Sequence, residues 1–186
     1  MKHTQEETHR AILRLTATAL FIAMTAALSS FSVPLPTGGH LYLTDVAICT
    51  AALLLDPWLA CLAGGLGAFL GDLFFYPQAM LVSLVTHGVQ ALVISLLARR
   101  TLRTRPRFAS VIGLVCGVLI MTAGYTFGTA FIYGTPAAAL IKIPGQLLQA
   151  SVGAVLGMVI VYPLGVGKMF ARLGLDKEKR KSSERK

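Results

Sequence analysis

The sequence predicts an all-α integral membrane protein, a six-transmembrane-helix bundle with its N and C termini in the cytoplasm, and three observations carry that expectation. Apolar residues make up 55% of the 186 positions, charged residues only 13%, and the mean hydropathy is +0.70, outside the range of soluble domains. Six apolar stretches can be marked between turn-forming residues. The cations gather in alternate connections.

The first expected helix covers about residues 11–31. Its basic flank and the small residues at Ser29 and Ser30 resemble a signal peptide, but a retained helix is preferred, because cleavage would leave the N-terminus outside. Ala19, Ala23 and Ala27, spaced by four, lie on one face of this helix. The following loop, Ser32 to Tyr42, holds two prolines and two glycines and fits a lid, with His40 and Tyr42 able to bond or stack; a plain interhelical connection explains it equally well.

The second and third helices are expected at 43–55 and 58–74, divided by Asp56-Pro57. The second is short for a crossing of roughly 30 Å, so a re-entrant hairpin stands as the alternative to two tilted helices. The fourth, fifth and sixth are expected at 79–98, 109–133 and 145–169, with breaks at Tyr76-Pro77, at the Arg-rich run ending Arg105-Pro106-Arg107, and at Gly134-Thr135-Pro136. A single transmembrane domain thus fills 1–170, and 171–186 reads as a basic, disordered cytoplasmic tail. Further small-residue pairs at Gly67/Gly71, Gly113/Gly117, Gly124/Gly128 and Gly153/Gly157 predict close helix packing.

Charge orients this bundle. Of the 17 Lys and Arg residues all but Lys142 fall before or at the opening of the first helix, between the fourth and fifth, or after the sixth. Translocating such loops is unfavourable, so they lie in the cytoplasm. A net charge of +9 distributed in this way suits anionic lipid headgroups rather than nucleic acid.

Several chemistries are excluded or disfavoured. Gly165-Val166-Gly167-Lys168-Met169 lacks the glycine and hydroxyl of a nucleotide-binding loop, and neither a zinc-protease motif nor a nucleophile elbow occurs. Cys49, Cys61 and Cys116 stand singly in apolar segments and form neither a metal set nor a disulfide set. No cofactor or metal is expected on this chain. Ser83 and His87, four apart, are the residues a membrane enzyme would use as nucleophile and base. A non-transporting accessory protein is the other alternative.

The intramembrane polar residues are more telling. With the orientation set, Asp45, Asp72, His87, Gln90, Tyr125, Tyr133, Gln146 and Gln149 collect in the outer half. Unpaired polar groups in lipid cost several kcal/mol, so they face the interior and meet one another or a ligand. Taken singly, Asp45 with Thr44 reads as a helix cap and Tyr76 and Tyr133 as interfacial anchors. Amides, imidazole and phenols together suit a small polar heterocycle.

The Ala-rich first helix, the Pro-containing loop, the run Gly39-His40-Leu41-Tyr42-Leu43-Thr44-Asp45-Val46, the segment Gly64-Gly65-Leu66-Gly67-Ala68-Phe69-Leu70-Gly71-Asp72-Leu73, and Tyr76-Pro77 resemble the S components of energy-coupling factor (ECF) vitamin transporters. Within that group the chain looks most like the hydroxymethylpyrimidine and pyridoxine branch. The resemblance implies a bundle that binds a vitamin or precursor from outside and docks on a membrane T component driven by two cytoplasmic ATPases, which use the ATP. It implies docking through Ala19 and Ala23, with Ala27 extending the stripe. The binding residues expected are His40, Tyr42, Asp72, His87, Gln90, Tyr125, Gln146 and Gln149. Members of that branch carry Lys and Glu in the fourth helix where this chain has His87 and Gln90, which leaves the substrate open.

Overall fold

The computed structural model describes residues 2–34, 40–100 and 105–173. The helices are α1 (Lys2–Leu28), α2 (Thr44–Leu54), α3 (Pro57–Phe75), α4 (Met80–Arg100), α5 (Pro106–Phe131), α6 (Pro136–Val161) and α7 (Val166–Arg172). An antiparallel hairpin of β1 (Ser32–Pro34) and β2 (His40–Tyr42) lies between α1 and α2, with Val33 opposite Leu41. Residues 35–39 of the expected lid and 174–186 of the expected tail lie outside the described residues.

The turn-formers that separate the elements also start them. Pro57, Pro106 and Pro136 each open a helix, and Pro77 opens a 3₁₀ turn, Pro77–Ala79, that leads into α4. Proline suits this place because the first helical N–H has no partner to lose and the ring presets φ. This corrects the start of the sixth helix, expected at 145. Gly134-Thr135-Pro136 is a helix start as well as a break, since Thr135 Oγ1 accepts the Ala138 N–H at 3.2 Å. Gln146 and Gln149 therefore lie well inside α6 and not in its first turn, and Pro144 is carried within it. The helix ends at Val161, short of the expected 169; Gly165, at φ 76°, then opens α7.

Five segments are long and apolar enough to cross a bilayer: Glu7–Leu28, Pro57–Phe75, Pro77–Arg99, Pro106–Phe131 and Pro136–Val161. The second expected span differs. α2 has 11 residues, about 16 Å at 1.5 Å per residue, and is too short to cross alone. Its C-terminal turn sits where Asp56 pairs with Arg14 of α1 and stands 3.6 Å from Arg99 of α4. Arg99 also donates to the Leu54 carbonyl at 2.7 Å. The middle of α1, the start of α3 and the end of α4 therefore meet at one end of the bundle, the basic end. Ser110 of α5 bonds Tyr162 after α6 at 2.8 Å, and Arg107 lies over the Tyr162 ring, bringing α5 and α6 together as antiparallel neighbours.

Glycine sets the packing elsewhere. Gly67 and Gly71 of α3 face Thr25 and Ser29 of α1, and the four glycines of α5 face α4 from Ile94 to Val82. Gly153 and Gly157 of α6 abut Asp45 and Cys49 of α2. A Cβ built on Gly153 would stand 2.8 Å from the Asp45 carbonyl carbon, so only glycine permits this approach without movement. Ala19, Ala23 and Ala27 are exposed, whereas Thr18, Phe21, Thr25 and Ser29 of the same helix turn inward.

Candidate functional site

Starting α2 partway along the bundle places Asp45 in the interior, at 0% exposure. Its first-turn position does not make it a cap. Leu43 is the N-cap and receives no side-chain bond, and the Asp45 carboxylate instead accepts from two amides: Gln90 Nε2 reaches Oδ1 at 3.0 Å and Gln149 Nε2 reaches Oδ2 at 2.6 Å. Both amides are bonded at their other ends. Tyr42 N–H donates to Gln149 Oε1 at 3.1 Å, which fastens the hairpin to α6. Gln90 Oε1 lies 2.6 Å from His87 Nδ1.

From His87 the chain of contacts continues outward. Tyr125 OH lies 3.1 Å from His87 Nε2 and 2.5 Å from Ser83 Oγ, and Ser83 also bonds Asp72. One hydrogen-bonded path thus runs from Asp72 of α3 through α4 and α5 to Asp45 of α2, then by α6 to the hairpin. Helical periodicity explains its regular step. Ser83, His87 and Gln90 fall at spacings of four and three on one face of α4; Tyr125 of α5 bridges the first gap, and His87 and Gln90 bond directly across the second.

The path borders a cavity of about 350 Å³. Four tyrosines, Tyr42, Tyr76, Tyr125 and Tyr133, form its aromatic walls; Asp72, His87, Lys142, Gln146 and Gln149 supply polar groups, and Ala68 and Met121 apolar ones. Tyr76 and Tyr133 meet edge to face with centroids 6.1 Å apart. Gln146 Oε1 accepts from Thr126 at 3.1 Å. Burial first, and then electrostatic repulsion from Asp72 and Tyr76, hold the Tyr42 hydroxyl above the usual phenol range, so it meets a ligand as a neutral donor. Such a volume is at the small end for ligand sites.

The ECF-type riboflavin transporter S component family model matches residues 10–165. The chain belongs to the ECF-type riboflavin transporter S component family. It is also similar to a Pyrococcus woesei protein described as "uncharacterized protein in gap 3′ region", 28% identical over 143 residues that cover 76% of this chain and 94% of that protein. ECF S components function with a T component and ATPases as a family, and the family is one of transporters and not of enzymes.

In this S component the residues singled out from sequence divide into three groups. Tyr42, Asp72, His87, Tyr125, Gln146 and Gln149 line one cavity. Gln90 does not; fully buried behind His87, it uses its amide to join the imidazole to Asp45. The His40 side chain lies outside the described residues, although its backbone pairs with Pro34. The nucleophile–base pair is not formed, since Tyr125 stands between Ser83 and His87 and bonds both.

Asp45, Ser83, Tyr76, Tyr133 and Lys142 were not among the expected binding residues. Asp45 was hidden by its Thr44-Asp45 start, which looks like a cap. Ser83 was legible only as a partner for His87, because its real partners lie 11 and 42 residues away. For Lys142 a signal existed: it is the single cation far in sequence from the basic clusters.

Proposed function

We propose that this protein is the substrate-capture subunit of an ECF importer, taking a flat nitrogen heterocycle into the tyrosine-lined cavity from the side opposite the basic end. It does no chemistry on the solute and binds no cofactor. The basic end, with both termini, faces the cytoplasm of a plasma-membrane protein and meets anionic lipid. A membrane T component docks on Ala19, Ala23 and Ala27, and two ATPases bound to it drive release inside. The exposed, small-residue face of α1 supports that assignment, because it lets another helix approach closely.

The observation that carries the reading is the cavity itself: four tyrosine rings around neutral amides and a carboxyl, with room for a vitamin-sized molecule. Rings that sandwich a planar solute contribute apolar area and stacking, while the polar groups read its edge. Riboflavin is the first solute to test, because the matched family bears its name; hydroxymethylpyrimidine and pyridoxine are the smaller alternatives suggested by the resemblance.

The test is titration of riboflavin into the purified chain in lipid nanodiscs, followed by quenching of flavin fluorescence, with the two smaller heterocycles as competitors. Saturable binding of one of the three, weakened by Gln149→Ala, is expected. Retention of none of them would overturn the substrate class. Co-purification of a T component and ATPases that is lost on Ala23→Trp would support the docking face; their recovery with that variant would remove it.

A further inference from the structure

The contacts around Asp72 fix how many hydrogens the site must hold. The Tyr42 N–H only donates, so Gln149 Oε1 accepts it and the Gln149 amide N–H₂ faces Asp45. Asp45 accepts a second N–H₂ from Gln90, which turns Gln90 Oε1 toward His87. An amide oxygen cannot donate. His87 Nδ1 therefore carries a hydrogen.

Three contacts remain: Asp72 to Ser83, Ser83 to Tyr125, and Tyr125 to His87 Nε2. Each needs one hydrogen, and the two hydroxyls bring two. The third has to sit on an end group. Either Asp72 is a carboxylic acid donating to Ser83, with Ser83 donating to Tyr125 and Tyr125 to a neutral His87, or Asp72 is a carboxylate and His87 an imidazolium donating to Tyr125. The two arrangements interconvert when each of three hydrogens moves one place along the chain, with no change in total charge.

We propose that the cavity is also a binding site for one proton, held between Asp72 and His87 through Ser83 and Tyr125, and that ligand capture is linked to it. The proton half rests on the contacts alone; the linkage half rests on the substrate-capture reading above. Asp72, His87 and Tyr125 all line the cavity, so a ligand meets the groups whose hydrogens are in question. Losing the proton sets two acceptors face to face at one of the three contacts and adds a negative charge. The facing groups make that charge count. Asp45 of α2 is joined through Gln90, and Lys142 of α6 and the side chains of Tyr42, Tyr76 and Tyr133 line the same cavity.

Infrared detection of protonated carboxyl and nitrogen-15 NMR of histidine on the ligand-free full chain in nanodiscs, across a pH titration, test the proton site directly. Expected is a carboxylic acid signal lost in Asp72→Asn, or an imidazolium signal lost in His87→Gln, disappearing in one titration step. Tyr125→Phe, if folded by size-exclusion and thermal melting, cuts the chain and should give a carboxylate with a neutral imidazole at the same pH. An ionised Asp72 beside a neutral His87 in the unmodified chain throughout its folded range would overturn the proton site, and so would a Tyr125→Phe titration identical to the parent's. Riboflavin titrations at the same pH values test the linkage: affinity should fall about tenfold per pH unit above the midpoint. Affinity flat through the midpoint would overturn the linkage while the spectra stand. No riboflavin binding at any pH would remove the flavin reading and the linkage built on it, leaving the spectra to decide the proton site.

Discussion

Two aspartates only 11 positions apart, Asp45 and Asp56, sit at opposite ends of α2 and are satisfied in opposite ways. Asp56 meets guanidinium groups, Arg14 and Arg99, in a partly exposed cluster that ties α1 and α4 to the α2–α3 turn. Asp45 is fully buried and meets neutral amides. A carboxylate matched by cations at an edge is a joint, screened by solvent and of modest worth. A carboxylate held by amides in the interior fixes the orientation of every group bonded behind it, because each amide has one donating and one accepting end. The first holds helices together; the second decides which atoms face a ligand.

The sharpest way to break that contrast is at Gly153. Gly153→Val places side-chain carbon against the Asp45 backbone, and the strain of overpacking costs about 1–3 kcal/mol or more; we expect a lowered melting temperature in detergent together with loss of ligand binding. Asp45→Ala comes next. It strands the two amide N–H₂ groups in the interior at roughly 1–3 kcal/mol for an unsatisfied buried donor, and binding should weaken with it, whereas Asp45→Asn should recover part of the loss. Isothermal titration with the solute identified by the competition assay measures both.

Tyr125→Phe removes one hydroxyl from the cavity wall and keeps the ring. A loss of at least about 1 kcal/mol in affinity, with melting nearly unchanged, is expected; a large loss of stability instead would make the path a structural element of the fold. Asp56→Asn should have the smallest effect, about 0–1 kcal/mol in stability, reduced further by added salt, and no change in ligand affinity. Altered affinity in Asp56→Asn would show that the basic end communicates with the cavity.

Much of the fold was legible because it depends on local chemistry. Proline and glycine breaks, apolar lengths and basic connections follow from single residues and their neighbours, and the long helices α1, α3, α4, α5 and α6 overlap the expected spans. The second span misled because an apolar run does not say whether its ends are helical: Leu43 and Leu55 flank an 11-residue helix, and a hairpin stands before it. Asp72, His87, Tyr125, Gln146 and Gln149 line one cavity, as polar side chains in a membrane bundle turn away from lipid. Gln90 and Gln149 illustrate the limit. Both are amides on the inward side of a helix, yet one lines the cavity and the other braces it from behind.

The sequence by itself determined a helical membrane protein, because its long apolar stretches suit lipid and backbone hydrogen bonds must there close within each helix. Only the tertiary structure decided that Asp72, Ser83, Tyr125, His87, Gln90, Asp45 and Gln149 form one path. Hydrogen bonds across α2 to α6 join residues as far as 104 positions apart, and their direction depends on which donor faces which acceptor once glycine-lined helices have closed on one another.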